Sequence, residues 1–261
     1  MEKYKVRDVA EVIESFAPLS IQEKWDNSGL CIGSPDAPVT SVLLGLDCTP
    51  QLVDEAVACG ADMIVTHHPL IFSGLRKISP EEPVGLAVMK AVSAGISVYA
   101  AHTSADKVIA GVSGAMAGKL GLENVEVLDA EGDGIGLGVV GDFPVPLTAQ
   151  EAITLVKERF GLKSLRTSRP AECLITRAAM CGGSGSSLID KAMESGAQLY
   201  LCGDVSYHHF FTRPGFMIMD IGHYESEIQI VDILFSLLKK NFPTFAVRIT
   251  ENIYSNPIYY F

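Results

Sequence analysis

The stretch "SVLLGLDCTPQLVDEAVACGADMIVTHHP", residues 41–69, constrains the fold more than any other part of the chain. Its apolar run 41–47 reads as a buried strand, 49–60 as a helix with Thr49 as cap and Pro50 at its first position, and 61–66 as the next strand. This is a β-α-β unit, which places the chain among α/β proteins. Pro69 has no backbone donor and ends the second strand, so His67 and His68 stand where strand gives way to loop. In an α/β sheet that place is the carboxyl end of a strand, the usual mouth of a ligand site.

The same grammar continues along the chain. A helix is expected over 6–16, a turn at Asn27, Ser28 and Gly29, another helix near 83–94, and a third strand that ends in His102. A second region repeats the plan, with strand 176–183, a glycine loop and helix over 183–196, and strand 197–204. Sliding the first unit by 136 positions lays Asp54 on Asp190, Ala56 on Ala192, Gly60 on Gly196 and Ala61 on Ala197, as two related α/β lobes would. "DAEGDGIG" (129–136) combines glycine with acidic residues and lacks periodicity, which makes it the expected linker. The first lobe is then 1–128 plus 223–261, carrying most of the metal ligands discussed below, and the second is 129–222. The closing segment 215–243 reads as a strand, a turn and an amphipathic helix whose Ile230, Val231, Leu234 and Leu238 share one face and return to the first lobe.

With 261 residues, 48% of them hydrophobic, the chain can fill a real core. A net charge of -11 and a pI near 5.0 argue against binding nucleic acid through general phosphate contacts, and leave room for a small or metal-bridged anion. The N-terminus lacks the apolar core of a signal peptide, and no run approaches a membrane span. Six scattered cysteines without C-x-x-C spacing read as reduced thiols, and a cytoplasmic location is expected.

All six histidines (His67, His68, His102, His208, His209 and His223) fall at or just past a predicted strand end. One such histidine is ordinarily a hydrogen-bonded loop residue; six in this position point to a shared site. "HTSAD" adds Asp106 to His102, and "HYESE" sets Glu227 four residues after His223, on the same face of a helix start. That pair alone suits helix capping as well as ligation; with the His-His pair, ligation is the better reading. Imidazole and carboxylate donors favour Zn, Fe, Mn, Co or Ni over Ca or Mg. Adjacent histidines on an extended backbone point to opposite sides, so two ions, one per imidazole, serve them better than one, with Glu227 as a bridge.

Other motifs carry less. G-x-G-x-x-G at Gly136, Gly138 and Gly141 is followed by "DFPVP" instead of a helix and is read as a glycine-rich strand. "GGSGSS", with Gly183, Ser184 and Gly185, lies between strand and helix, where it is equally suited to cradle an anion or to make a tight turn. In "WDNSG", Trp25 reads as a core tryptophan before a turn through Asp26 and Asn27.

Taken in order, "WDNSGL", "THHP", "HTSAD", "CGGSGSS", "CGDVSYHH" and "GHYESE" resemble the Nif-three-like dinuclear metal centre family, also described as GTP cyclohydrolase I type 2 homologs, over nearly the whole chain. The resemblance implies two related α/β lobes with mixed sheets flanked by helices and a metal cleft between them. It implies two divalent ions per chain on residues that here match His67, His68, Asp106, His223 and Glu227, with His102 as a weaker ligand or a partner nearby. It further implies a homohexamer of the short form. Val139 and Ser206 stand where the family often has arginine and lysine, which removes two cations from the second lobe.

Two divalent ions with Asp106 and Glu227 as the charged ligands and one bridging hydroxide would keep about one net positive charge, a balance that welcomes an anion. The expectation is a dinuclear-metal-dependent hydrolase acting on a nucleotide or other anionic small molecule, with ring opening of GTP as the family's suggestion. His102 and Glu225 are candidate acids or bases. Gly183, Ser184, Gly185, Asp204 and His208 are candidate substrate contacts. The alternative is a metal-binding or interaction scaffold without turnover; no membrane or nucleic-acid partner is expected.

Overall fold

Residues 41–69 fold as their pattern dictates in the computed structural model, which describes residues 4–132, 134–251 and 256–259. In chain order the elements are α1 (Val6–Phe16), β1 (Gly29–Ile32), β2 (Ser41–Gly45), α2 (Pro50–Cys59), β3 (Met63–Thr66), α3 (Pro83–Ala94), β4 (Ser97–Ala100) and the single turn α4 (Thr103–Asp106). They continue with α5 (Val112–Leu120), β5 (Glu123–Gly132), β6 (Ile135–Leu147), α6 (Ala149–Phe160), β7 (Arg166–Thr167), β8 (Ile175–Ser184), α7 (Ile189–Glu194) and β9 (Leu199–Gly203). The last are β10 (Met217–Asp220), α8 (His223–Glu227), α9 (Gln229–Asn241) and β11 (Ala246–Ile249). Among the described residues, no helix is long and apolar enough to cross a membrane.

Two compact units divide these elements: residues 1–105 with 230–257, and residues 106–229 with 258–261. The first holds a mixed sheet of order β1-β4-β3-β2-β11. Strands β2, β3, β4 and β11 run parallel, and β1 is antiparallel to β4. The parallel strands β2, β3 and β4 are buried on both faces, hence their unbroken apolar runs. Thr49 caps α2 by accepting from the Leu52 amide, Pro50 opens the helix, and Gly60 closes it at φ 70°. Leu52, Val53 and Ala56 of α2 and Ala87, Val88 and Ala91 of α3 pack with Leu43, Ile64 and Val98 of the sheet in one core.

The second unit holds a mixed sheet of order β5-β6-β8-β9-β10-β7, with β8, β9 and β10 parallel. Its pieces β8-α7-β9 repeat β2-α2-β3 in plan, with Gly196 at φ 80° where Gly60 closes α2. G-x-G-x-x-G lies within β6, as a strand.

Two expectations about organisation are overturned. Residues 129–136 are no linker: β5 runs to Gly132, β6 starts at Ile135, and the two pair antiparallel from Glu123↔Asp142 to Gly132↔Ile135. Glycine and acidic residues suit a hairpin end as well as a linker. The chain therefore passes between the compact units at 105/106, 229/230 and 257/258, where 128/129 and 222/223 were expected. The cause is α5, whose Met116, Ala117 and Leu120 join Val139, Met180 and Leu201 in the second unit's core. Of the five expected metal ligands, the first unit carries only His67 and His68; Asp106, His223 and Glu227 belong to the second. The closing amphipathic segment is also two helices, α8 and α9, with Ile230, Val231, Leu234 and Leu238 of α9 buried as expected.

All six cysteines are free, and their environments separate them. Burial pushes the Cys48 and Cys202 thiols up to about 12 and raises Cys181 as well, while Cys173 is exposed. At pH 8 a thiol-reactive dye should therefore modify Cys173 rapidly, and reach Cys48, Cys181 and Cys202 only after denaturant is added. Fast labelling of any of those three in the native protein, read by peptide mass spectrometry, would contradict their placement.

Candidate metal centre

Two ligand sets are assembled at strand ends, one in each unit. In the first, β3 ends at Thr66 and the chain bends, because the amides of His67 and His68 both donate to the Leu46 carbonyl, at 3.1 and 3.0 Å. The expectation that the two imidazoles point to opposite sides fails for this reason: the backbone is no longer extended. Their ring centroids lie 5.0 Å apart, and His102, just past β4, stands 5.3 Å from His67 and 5.5 Å from His68. One ring nitrogen from each of the three lies within 4.8 Å of the others.

The outer nitrogens show how this set is held. His67 Nδ1 donates to the Ala101 carbonyl at 2.7 Å, His68 Nδ1 to Asp47 at 2.7 Å and His102 Nδ1 to Asp26 at 2.8 Å. A carbonyl oxygen only accepts, so His67 carries its proton on Nδ1 and turns the Nε2 lone pair to the site. Carboxylates impose the same tautomer on His68 and His102. This is the arrangement by which proteins fix imidazoles as metal ligands. Asp26 is the most elaborate support: its side chain is inaccessible to solvent and also accepts from Ser28 Oγ, Thr103 Oγ1 and the amides of Asn27 and Thr103. Burial alone would raise its carboxyl pKa, but the hydrogen bonds from His102, Ser28 and Thr103 outweigh it and hold the group well below the ordinary carboxylate range.

In the second unit, α8 begins two residues after β10. Its first residue, His223, sets Nε2 3.0 Å from Glu227 Oε2 one turn later, as the spacing predicts. Around a tetrahedral ion with bonds near 2.0 Å two ligand atoms stand about 3.3 Å apart, so this pair is already at ligand separation. His223 Nδ1 donates to Asp204 at 2.7 Å, giving the fourth imidazole the same support as the other three. Asp204 adopts φ 54°, an uncommon conformation for a residue other than glycine, at the tight join between the end of β9 and the start of α8. A carboxylate oxygen of Asp106 lies within 4.8 Å of one of Glu227, which is itself 4% exposed. Two carboxylates so close in a buried place repel each other unless a proton or a cation is shared between them, and a divalent ion meets that need. The donor chemistry of both sets thus fits divalent ions of the imidazole-binding type.

The other sequence candidates fare differently. Gly183 (φ 62°) packs on Glu227, and a Cβ there would overlap Oε1 of that carboxylate. The Gly183 amide donates to Ser226 Oγ at 2.9 Å and the Gly185 amide to the Gly183 carbonyl at 3.0 Å. The glycine run around Ser184 is therefore the tight turn, not the anion cradle, and it buttresses Glu227. Glu225 lies two residues from both His223 and Glu227, on the other side of α8, where it lines a cavity of about 270 Å³ with Lys163, Ser164 and Tyr259. That placement removes it as an acid or base for the ligand face. His208 and His209 are exposed on the 3-10 turn Tyr207–Phe210 and join none of the metal-capable groups among the described residues. Asp204, expected to touch substrate, is a support for His223. Trp25 is no core residue: it is 58% exposed.

Sequence reasoning missed Asp26 and Asp47 as supports. Asp47 carried a signal: β2 and β3 pair in parallel with Gly45 beside Thr66, so "LD" and "HH" end level on neighbouring strands. Cys202 beside Asp220 likewise brings Asp204 level with the approach to His223.

Fold and site define an α/β protein of two mixed sheets whose strand ends carry histidine and carboxylate groups suited to metal. The sequence pattern of the Duf34/NIF3 (NGG1p interacting factor 3) family matches residues 4–257, and the chain belongs to that family. A GTP cyclohydrolase 1 type 2 homolog of Lactococcus lactis is 38% identical over 226 residues, 84% of this chain and 86% of that protein. One from Clostridium acetobutylicum is 34% identical over 228 residues, 85% of each chain. Among solved structures, a Staphylococcus aureus hypothetical protein superposes with a TM-score of 0.92 at 26% identity, covering 100% of both chains.

Proposed function

We propose that the chain is a dinuclear-metal-dependent hydrolase acting on a nucleotide or another anionic small molecule, with ring opening of GTP as the first reaction to assay. The observation that carries this reading is the support of four imidazoles at Nδ1 by Ala101, Asp47, Asp26 and Asp204, which turns every Nε2 toward a ligand. The names of the relatives supply the nucleotide. His67, His68, Asp106, His223 and Glu227 hold two ions of Zn, Fe, Mn, Co or Ni. When bound, the ions supply Lewis-acid polarisation of a substrate oxygen and an acidified water. His102, held by Asp26 at Nδ1, has Nε2 left to take or give a proton. The chain assembles as a homo-oligomer, a hexamer on the family resemblance.

The test begins with metal content. Protein purified without tag or chelator should hold close to two ions per chain by plasma mass spectrometry, and a His68→Ala variant distinctly fewer. Little metal in the parent after reconstitution would make the histidines structural and end this reading. The family's description as an interacting factor favours a second reading, a metal-binding scaffold without turnover. Metal-loaded protein that turns over none of a panel of nucleotides and phosphoesters would select it.

A further inference from the structure

Beside the histidines of the first unit stand two large aromatic side chains that the fold does not use. Trp25 is 58% exposed and Phe72 54%, and their ring centroids are 5.7 Å apart at 48°. Each also lies close to His102, Trp25 at 6.0 Å and Phe72 at 6.2 Å, both edge-on. A ring left in water beside a hydrogen-bonded imidazole cluster forgoes the burial that ordinarily stabilises Trp and Phe. The position is also built. Asn27 Nδ2 donates to the Ile71 carbonyl at 2.6 Å, which ties the segment carrying Phe72 to the loop carrying Trp25. The neighbouring Asp26 anchors that loop through Ser28, Thr103 and His102. The two rings thus form a preorganised corner, fixed to the same carboxylate that orients His102.

We infer that Trp25 and Phe72 form a stacking subsite for a planar heteroaromatic ring, so that the substrate of the proposed centre is an anion bearing a base-like ring, not an aliphatic phosphoester. The inference rests on the metal-site reading for the anionic end of the ligand and on the exposed aromatic corner alone for the ring. Stacking on an aromatic face tolerates any base, because every base has a π face. The subsite would therefore recognise that a ring is present and leave the choice of base to other groups.

Trp25 is the only tryptophan in the chain, so intrinsic fluorescence reports on this corner without a label. Metal-loaded and chelator-treated protein would be titrated with GTP, ATP, tripolyphosphate and ribose 5-phosphate. The expected result is saturable quenching of Trp25 by both nucleotides and none by the two anions that lack an aromatic ring. By equilibrium dialysis, Trp25→Ala should weaken nucleotide binding about tenfold or more, Trp25→Phe should retain most of it, and Phe72→Ala should weaken it while leaving Trp25 as a reporter. Nucleotide binding that leaves Trp25 emission unchanged, or that is equally tight in Trp25→Ala, would overturn the subsite, as would the absence of any nucleotide binding. A shift of emission on dilution without ligand would show a second copy covering the rings and would also overturn it. Failure of the metal reading is separate: it appears in metal content, and ring-dependent quenching in chelator-treated protein would survive it.

Discussion

Replacing Asp106 by alanine is expected to abolish metal-dependent turnover while leaving the chain folded. Asp106 ends the short turn α4, and one of its carboxylate oxygens lies within 4.8 Å of one of Glu227, so on the proposed reading it is an anionic ligand and not part of a hydrophobic core. If an ion bound there contributes about 4 kcal/mol of charge stabilisation in the transition state, its loss lowers kcat/KM by about 10³-fold. The measurement is turnover with saturating metal beside thermal unfolding in chelator. Retained turnover, with metal content equal to that of the parent, would remove Asp106 from the centre. Lost turnover accompanied by a large drop in metal-free stability would mean that the carboxylate supports the fold instead.

The donor atoms were far more legible in the sequence than the structure that holds them. His67, His68, His102 and His223 could be picked out because each follows directly on an apolar run, with Pro69 just after His67 and His68 and Gly222 just before His223. His223 and Glu227 follow from helical spacing alone, and the structure brings their side chains to 3.0 Å. The supports were hidden because each comes from a different element: Asp47 from the neighbouring strand, Asp26 from an irregular loop, the Ala101 carbonyl from the backbone. Strand neighbours are set by tertiary pairing, and no pattern within one strand announces them. The unit boundary failed for a related reason. The helix after His102 looks like the next step of a β-α-β series, whereas the strand that follows it pairs antiparallel with β6 and draws α5 into the second core. Gly182, Gly183 and Gly185 were ambiguous because glycine serves an anion cradle and a close-packed turn equally well; only the position of Glu227 against Gly183 separates the two.

Asp26→Ala is expected to cost about 3–4 kcal/mol of folding stability, far more than a typical substitution on an irregular loop. The carboxylate accepts five hydrogen bonds, from His102 Nδ1, Ser28 Oγ, Thr103 Oγ1 and the amides of Asn27 and Thr103. Alanine leaves those donors without an acceptor. The amide of Asn27, on the exposed side of the loop, can turn to water, but Thr103 is buried and cannot. Asp26→Asn should fall between parent and alanine, because its amide keeps one acceptor and presents two donors to a ring of donors. Urea unfolding in chelator, compared at equal m-value, reads the difference. The pH dependence follows from the depressed carboxyl. Its ordinary value is 3.8 and its folded value lies below that, so the stabilisation is complete at neutral pH and is lost as the pH falls through the folded value. Parent and Asp26→Ala should therefore converge in stability in acid. Asp36→Ala, which removes an exposed partner of Lys5 and Arg7, is the control and should leave stability nearly unchanged at neutral pH. A difference between parent and Asp26→Ala that persists unchanged into acid would mean that shape, not the ionised carboxylate, holds His102 in place.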